Sequence, residues 1–132
     1  MFGDMQRCLA DVKHTGTARL TVTRGSGPRG YAPPGAAQTR SILSAHPPSA
    51  LAFEPLRCGV AETHWADQPQ LAGLKLLART EQVLAAHEAA TQGWDDALML
   101  NNEKQVISSS KGNLFLFQGT DVTTPCLNRC GI

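Results

Sequence analysis

The chain has 132 residues, 42% of them hydrophobic and 17% charged, a balance that fits one ordinary globular domain or a piece of a larger one. A formal net charge of +1 leaves no acidic or basic excess, so neither nucleic acid nor an anionic membrane surface is indicated as a partner. No apolar stretch approaches the ~20 residues that span a bilayer, and the start Met1-Phe2-Gly3-Asp4-Met5-Gln6-Arg7 lacks the layout of a signal peptide, which makes the cytoplasm the expected location.

Asp4 to Lys13 reads as the end of a helix, with Met5, Cys8, Leu9 and Val12 on one side and the turn His14-Thr15-Gly16 closing it. Ala18 to Thr23 alternates polar and apolar side chains, with Leu20 and Val22 on one face, and predicts a half-buried strand. Ser41 to Ser44 is a second short strand. The stiff run Ala45-His46-Pro47-Pro48-Ser49 cannot continue a ladder, so residues 47–50 are taken as a linker between a segment 1–46 and a segment 51–132.

Beyond the linker, Phe53 to Glu62 reads as a strand region interrupted by Pro55 and Gly59, and Thr63 to Gln70 as a polar loop. Gln70 to Thr91 predicts the main helix, its apolar side supplied by Leu74, Leu77, Leu84 and the intervening alanines. Two hairpins follow. The first joins Ala97–Leu100 to Gln105–Ser108 through Asn101-Asn102-Glu103-Lys104; the second joins Asn113–Phe117 to Val122–Thr124 through Gln118-Gly119-Thr120-Asp121.

Cys8, Cys58, Cys126 and Cys130 are expected to be reduced thiols in a chain without an export signal. The C-x3-C spacing of the last two lacks a second Cys or His pair, and His14, His46, His64 and His87 are scattered singly, so no metal site is assigned.

Three segments carry candidate chemistry. In Leu71-Ala72-Gly73-Leu74-Lys75-Leu76-Leu77, apolar neighbours near a helix start would bury the Lys75 ammonium, lower its pKa and favour the neutral amine that forms an imine; the ordinary alternative is a lysine that snorkels to solvent. Gly73 removes a side chain where a cofactor would approach. Thr23-Arg24-Gly25-Ser26-Gly27-Pro28-Arg29-Gly30-Tyr31 offers backbone amides and guanidinium forks to a carboxylate, or is a surface turn; it has no G-K-[ST] ending and so is not a phosphate loop of that kind. In Val106-Ile107-Ser108-Ser109-Ser110-Lys111-Gly112-Asn113, hydroxyls and amides could grip a phosphate or orient a cofactor ring, or form a plain polar loop. No serine-hydrolase elbow is present.

Taken in order, T-R-G-S-G-P-R-G-Y, L-A-G-L-K-L-L-A-R-T-E-Q-V-L, D-D-A-L-M-L-N-N-E, N-L-F and T-P-x-L resemble the class IV (fold type IV) pyridoxal-phosphate enzymes from about Asp4 onward. Within them the R-G-x-G-x-R-G-Y and L-A-G-[IL]-K runs look most like the 4-amino-4-deoxychorismate lyases. The resemblance implies an α/β (α+β) fold: residues 1–46 as the end of a small α/β domain, and 51–132 as the first part of a larger pseudo-barrel domain carrying the cofactor lysine. It implies that pyridoxal 5'-phosphate is bound covalently by Lys75, with Ser108, Ser109 and Asn113 around it. Arg29, Tyr31 and Arg40 would lie on the substrate side, the arginines meeting carboxylates of aminodeoxychorismate. The products would be 4-aminobenzoate and pyruvate, on the way to folate, and the complete relative would be a cytoplasmic homodimer. A branched-chain or D-amino-acid aminotransferase and an inactive interaction protein are the competing readings.

The chain departs from that pattern in three ways. Ser108 stands where relatives carry a glutamate that keeps the pyridine nitrogen protonated, which implies a weaker electron sink; Glu103, in a hairpin turn, is a poor substitute. Ala78 replaces a polar residue. A later G-I-x-R-like segment and an N-terminal arginine that bind the phosphate are absent, so the chain is expected to be a truncated or partial enzyme with unpartnered strand edges.

Overall fold

A computed structural model describes residues 10, 16–48 and 54–132. The helix end read over Asp4 to Lys13 lies outside the described residues, Ala10 apart. The chain divides into two compact units, Met1–Phe53 and Glu54–Ile132.

The first unit holds a two-stranded antiparallel ribbon, β1 (Thr17–Thr23) and β2 (Arg40–His46), with Leu20 opposite Leu43 and Thr23 opposite Arg40. β2 is longer than the four residues expected, because all seven positions of β1 find a partner before Pro47, which has no N–H to donate, ends the ladder. The half-buried face expected for β1 is not formed: Leu20 and Val22 are exposed, as is Ile42 on β2. No further strand pairs with this ribbon among the described residues.

The second unit is built on a three-stranded sheet in the order β3 (Cys58–Val60), β4 (Asp96–Leu100), β5 (Val106–Ser109). β3 and β4 run parallel and are joined by α1 (Thr80–Gln92), a β-α-β crossover; β5 returns antiparallel through the tight turn after Leu100. A separate hairpin, β6 (Leu116–Gln118) with β7 (Asp121–Thr123), follows. Both expected hairpins form, the second shorter than read: residues 113–115 lie before its ladder, and Gln118 and Asp121, read as turn, pair with each other. Among the described residues no helix is long and apolar enough to cross a membrane.

The core of this unit is small and made of small residues. Ala85 and Ala89 of α1 lie on Ala97 and Met99 of β4, with Ala61 beside them and Trp65 and Trp94 closing the edges. The face that α1 buries is therefore Gln82, Ala85 and Ala89, spaced one turn apart, while Leu84 points to solvent. Alanines let the helix approach the sheet closely, and the indoles fill the remaining volume. Gly59 sits inside β3 instead of interrupting it: a Cβ there would run into the indole of Trp94, so the glycine makes room for the ring.

The helix begins at Thr80, ten residues later than the periodicity predicts. Gly73 adopts φ +74, a left-handed conformation that a helix cannot contain. The amides around it close short local turns, Leu71 N on Gln68 O at 2.9 Å and Leu74 N on Leu71 O at 3.1 Å, while Gln68 N and Gly73 N anchor the segment to Arg129 O and Gly131 O, each at 2.9 Å. Tertiary context thus overrides local propensity before Thr80. At its other end α1 stops as expected for a glycine, Gly93 having φ 69 and its N–H reaching back to Ala90 O.

Candidate functional site

A cleft of about 670 Å³ opens in the second unit between α1, the loop before it and the segment from Ser108 to Asn113. Its volume lies in the range of small-molecule sites. Lys75, Ser108, Ser109 and Asn113, four of the residues picked from sequence, line this one cleft, together with Arg79, Gln82, Trp65, Trp94, Asp96 and Lys111. Arg29, Tyr31 and Arg40 lie in the first unit, all exposed, Arg29 and Tyr31 in the loop after β1 and Arg40 at the start of β2 opposite Thr23.

Lys75 is in the loop between Gly73 and Arg79, not on the helix, and it is exposed. The apolar enclosure expected from Leu74, Leu76 and Leu77 is not formed, since those leucines are themselves exposed. The loop is held at both ends instead. Arg129 pairs with Asp67 at 2.9 Å and with Glu103, tying the entry of the loop to the C-terminal segment and to the β4–β5 turn. At its exit Arg79 Nε donates to Leu76 O at 3.1 Å, and Ala66 N donates to Glu81 of the first helical turn at 3.0 Å. Glu103 is thereby committed to Arg129. The φ of Gly73 and the empty space around its Cα make it a turn residue.

The opposite wall is polar and ordered by its own hydrogen bonds. Ser108, 5% exposed on β5, accepts the indole N–H of Trp65 at 2.8 Å. Trp65 is carried there by Trp65 N donating to Leu100 O at 2.8 Å, alongside a bridge to Asn101. Ser109 turns its hydroxyl back on its own loop, accepting from Gly112 N at 2.9 Å, while Ser109 N donates to Gly112 O. Asn113 is exposed at the rim.

Asp96, also 5% exposed, heads β4 and accepts from Ser110 Oγ at 2.5 Å and from Ala97 N at 2.8 Å, with Lys111 Nζ 3.9 Å from its second oxygen. Burial opposes its ionisation, but the hydrogen bonds from Ser110, Ser109 and Ala97 and the charge of Lys111 outweigh it and hold the carboxyl below its ordinary value. Lys111 Nζ also donates to Asp95 O at 3.1 Å. Gln82, 9% exposed on α1, has an amide nitrogen with no partner among the described residues. Sequence reasoning passed over Trp65, Gln82 and Asp96; the Asp95-Asp96 pair at the head of a strand was the one available signal.

Near the cleft, Cys130 is buried and its thiol is pushed up to about 11, chiefly by burial and then by the neighbouring Asp67 carboxylate, whereas Cys58 and Cys126 are exposed.

The fold that carries this cleft has counterparts among known proteins. The sequence profile of the amino-transferase class IV family matches residues 5–132. The chain belongs to that family, and its mixed α/β architecture is that of the fold type IV enzymes. It is 36% identical over 118 residues to an aminodeoxychorismate lyase of Vibrio harveyi, covering 86% of this chain and 44% of that protein. The crystal structure of 4-amino-4-deoxychorismate lyase from Pseudomonas aeruginosa superposes with a TM-score of 0.83 and 37% identity, over 98% of this chain and 51% of that one. A branched-chain aminotransferase from Thermoproteus uzoniensis shares the fold, with a TM-score of 0.71 and 24% identity over 87% of this chain and 39% of that one. The chain thus spans about half the length of the lyases it matches.

Proposed function

We propose that this chain carries the lysine-bearing part of a pyridoxal-phosphate-dependent lyase that converts 4-amino-4-deoxychorismate to 4-aminobenzoate and pyruvate for folate synthesis. The observation that carries the reading is the meeting of Lys75 with Ser108–Asn113 in one cleft, two segments more than thirty residues apart in sequence. The lyase identity rests on the likeness to the Vibrio and Pseudomonas proteins.

The residues present fit pyridoxal 5'-phosphate. A primary amine stands open to the cleft, cationic Arg79 and Lys111 line it, and the unpartnered Gln82 amide offers a hydrogen bond to whatever fills it. When bound, that cofactor supplies an electron sink for a carbanion. Lys75 would hold it covalently and, once displaced by the amino group of the substrate, would be the amine that takes and returns a proton. Lys111 and Arg79 would meet its phosphate, and Trp65 and Trp94 would keep water from the ring. By likeness to the family, Arg29, Tyr31 and Arg40 would lie on the substrate side, the arginines meeting its carboxylates. The reading includes a cytoplasmic, homodimeric enzyme.

The test is direct. Pyridoxal 5'-phosphate added to the protein should give the visible absorbance of a lysine-bound cofactor, retained in Lys104→Ala, which lies outside the cleft, and lost in Lys75→Ala, and aminodeoxychorismate should then release pyruvate. Amino transfer to a keto acid without pyruvate release would assign the chain to the aminotransferases, and absence of any absorbance would leave it an interaction protein.

A further inference from the structure

We propose that Ser108 is an uncharged hydrogen-bond donor to the ring nitrogen of pyridoxal 5'-phosphate, so that the cleft holds the cofactor with that nitrogen unprotonated. The inference rests on the cofactor reading above and concerns what the buried end of the cleft asks of its ligand.

An indole nitrogen can only donate, which fixes the sense of the 2.8 Å bond from Trp65 to Ser108. Ser108 is therefore an acceptor there, and its own O–H is left to donate; among the described residues no acceptor takes it. A buried hydroxyl in that condition needs a partner, and the cleft is the direction left open to it. Gln82, across the cleft on α1, repeats the pattern with an amide nitrogen that is buried and unpartnered. Two neutral donors with free hydrogens on the walls of one cleft suit an acceptor atom.

The charges of the lining point the same way. Asp96, the one buried carboxylate among the lining residues, has one oxygen engaged by Ser110 and Ala97 and the other facing Lys111, so turning it to a pyridinium would break bonds already made. Asp95, the other lining carboxylate, is exposed and accepts from Arg57 N at 2.7 Å, so a positive ring nitrogen at the buried wall would lack a buried counter-charge, which disfavours the protonated form. The ring nitrogen lies across the ring from the carbon that joins the lysine, so with Lys75 and Ser108 lining one cleft, a ring tethered to Lys75 would be able to offer its nitrogen to Ser108. A neutral ring withdraws electrons more weakly. That suits an elimination assisted by the substrate becoming aromatic better than it suits amino transfer, which has no such assistance.

The experiment loads the protein with pyridoxal 5'-phosphate labelled with 15N in the ring and reads the nitrogen resonance across the neutral pH range. The expected result is a resonance at the neutral-pyridine position in the wild type, a move to the pyridinium position in Ser108→Glu, and cofactor affinity about tenfold weaker in Ser108→Ala. A pyridinium resonance in the wild type overturns the proposal whether or not the variants fold. So does a Ser108→Glu protein that binds cofactor with its resonance unmoved. If the wild type shows no lysine-bound absorbance at all, the cofactor reading fails first and this inference falls with it, an outcome distinct from a bound but protonated ring.

Discussion

Asp96 shows how one side chain can tie the stability of the cleft to pH. Its carboxyl is held below the ordinary value of 3.8, so its hydrogen bonds stabilise the fold fully above that value and the contribution is lost as pH falls through the lower folded value. Asp96→Asn should therefore lower the thermal midpoint near neutrality and flatten its fall below about pH 4, as read by melting curves at stepped pH. Ser110→Ala, which removes one of the donors, should move the wild-type acid transition toward higher pH. Neither effect was visible in the sequence, where Asp96 is one of two adjacent aspartates and nothing marks which of them is buried.

At the scale of elements, the β4–β5 turn is set by a single buried side chain. Asn101 accepts from Glu103 N at 3.0 Å and Gln105 N at 2.9 Å while its amide donates to Gln105 Oε1 at 3.0 Å, and Lys104 takes the left-handed position with φ 63. Asn101→Ala strands two backbone donors, and a loss of about 2 kcal/mol is expected in urea unfolding. Lys104→Gly should instead be neutral or stabilising, because the left-handed backbone no longer carries a Cβ. This turn was legible in the sequence from its Asn-Asn pair between two apolar runs. The start of α1 was not: Gly73 takes a left-handed turn, and the bonds from Gln68 and Gly73 to residues 129 and 131 join positions about sixty apart, which no local periodicity can announce. β1 was placed well for a different reason, the period-two alternation around Leu20 and Val22, although that pattern says nothing of what covers the face.

For the second unit taken whole, the placement of Lys75 depends on residues far along the chain. Arg129 joins Asp67 and Glu103, so three separate stretches meet at one guanidinium. Arg129→Ala should leave α1 and the sheet folded but speed amide hydrogen exchange over residues 66–77, with little change in the amides of β4. Unchanged exchange in that loop would show the backbone bonds alone to be sufficient. The same dependence explains which cleft-lining residues could be named in advance. Lys75, Ser108, Ser109 and Asn113 belong to contiguous motifs and line the cleft; Trp65 and Gln82 join them only when the crossover brings the loop, the helix and β5 together.

The burial of Cys130 supplies a clock for that loop. A thiol titrating at about 11 and closed off from solvent is nearly silent toward alkylating reagents near neutrality, while Cys58 and Cys126 are open to them. Once the accessible thiols are blocked, the slow phase of labelling times how often the C-terminal segment lifts away from the Lys75 loop, since the neighbours of Cys130, Arg129 and Gly131, hold that loop down. A ligand that settles in the cleft and draws its walls together would lengthen that interval, so ligands could be recognised by the protection of a sulfur atom that none of them needs to touch.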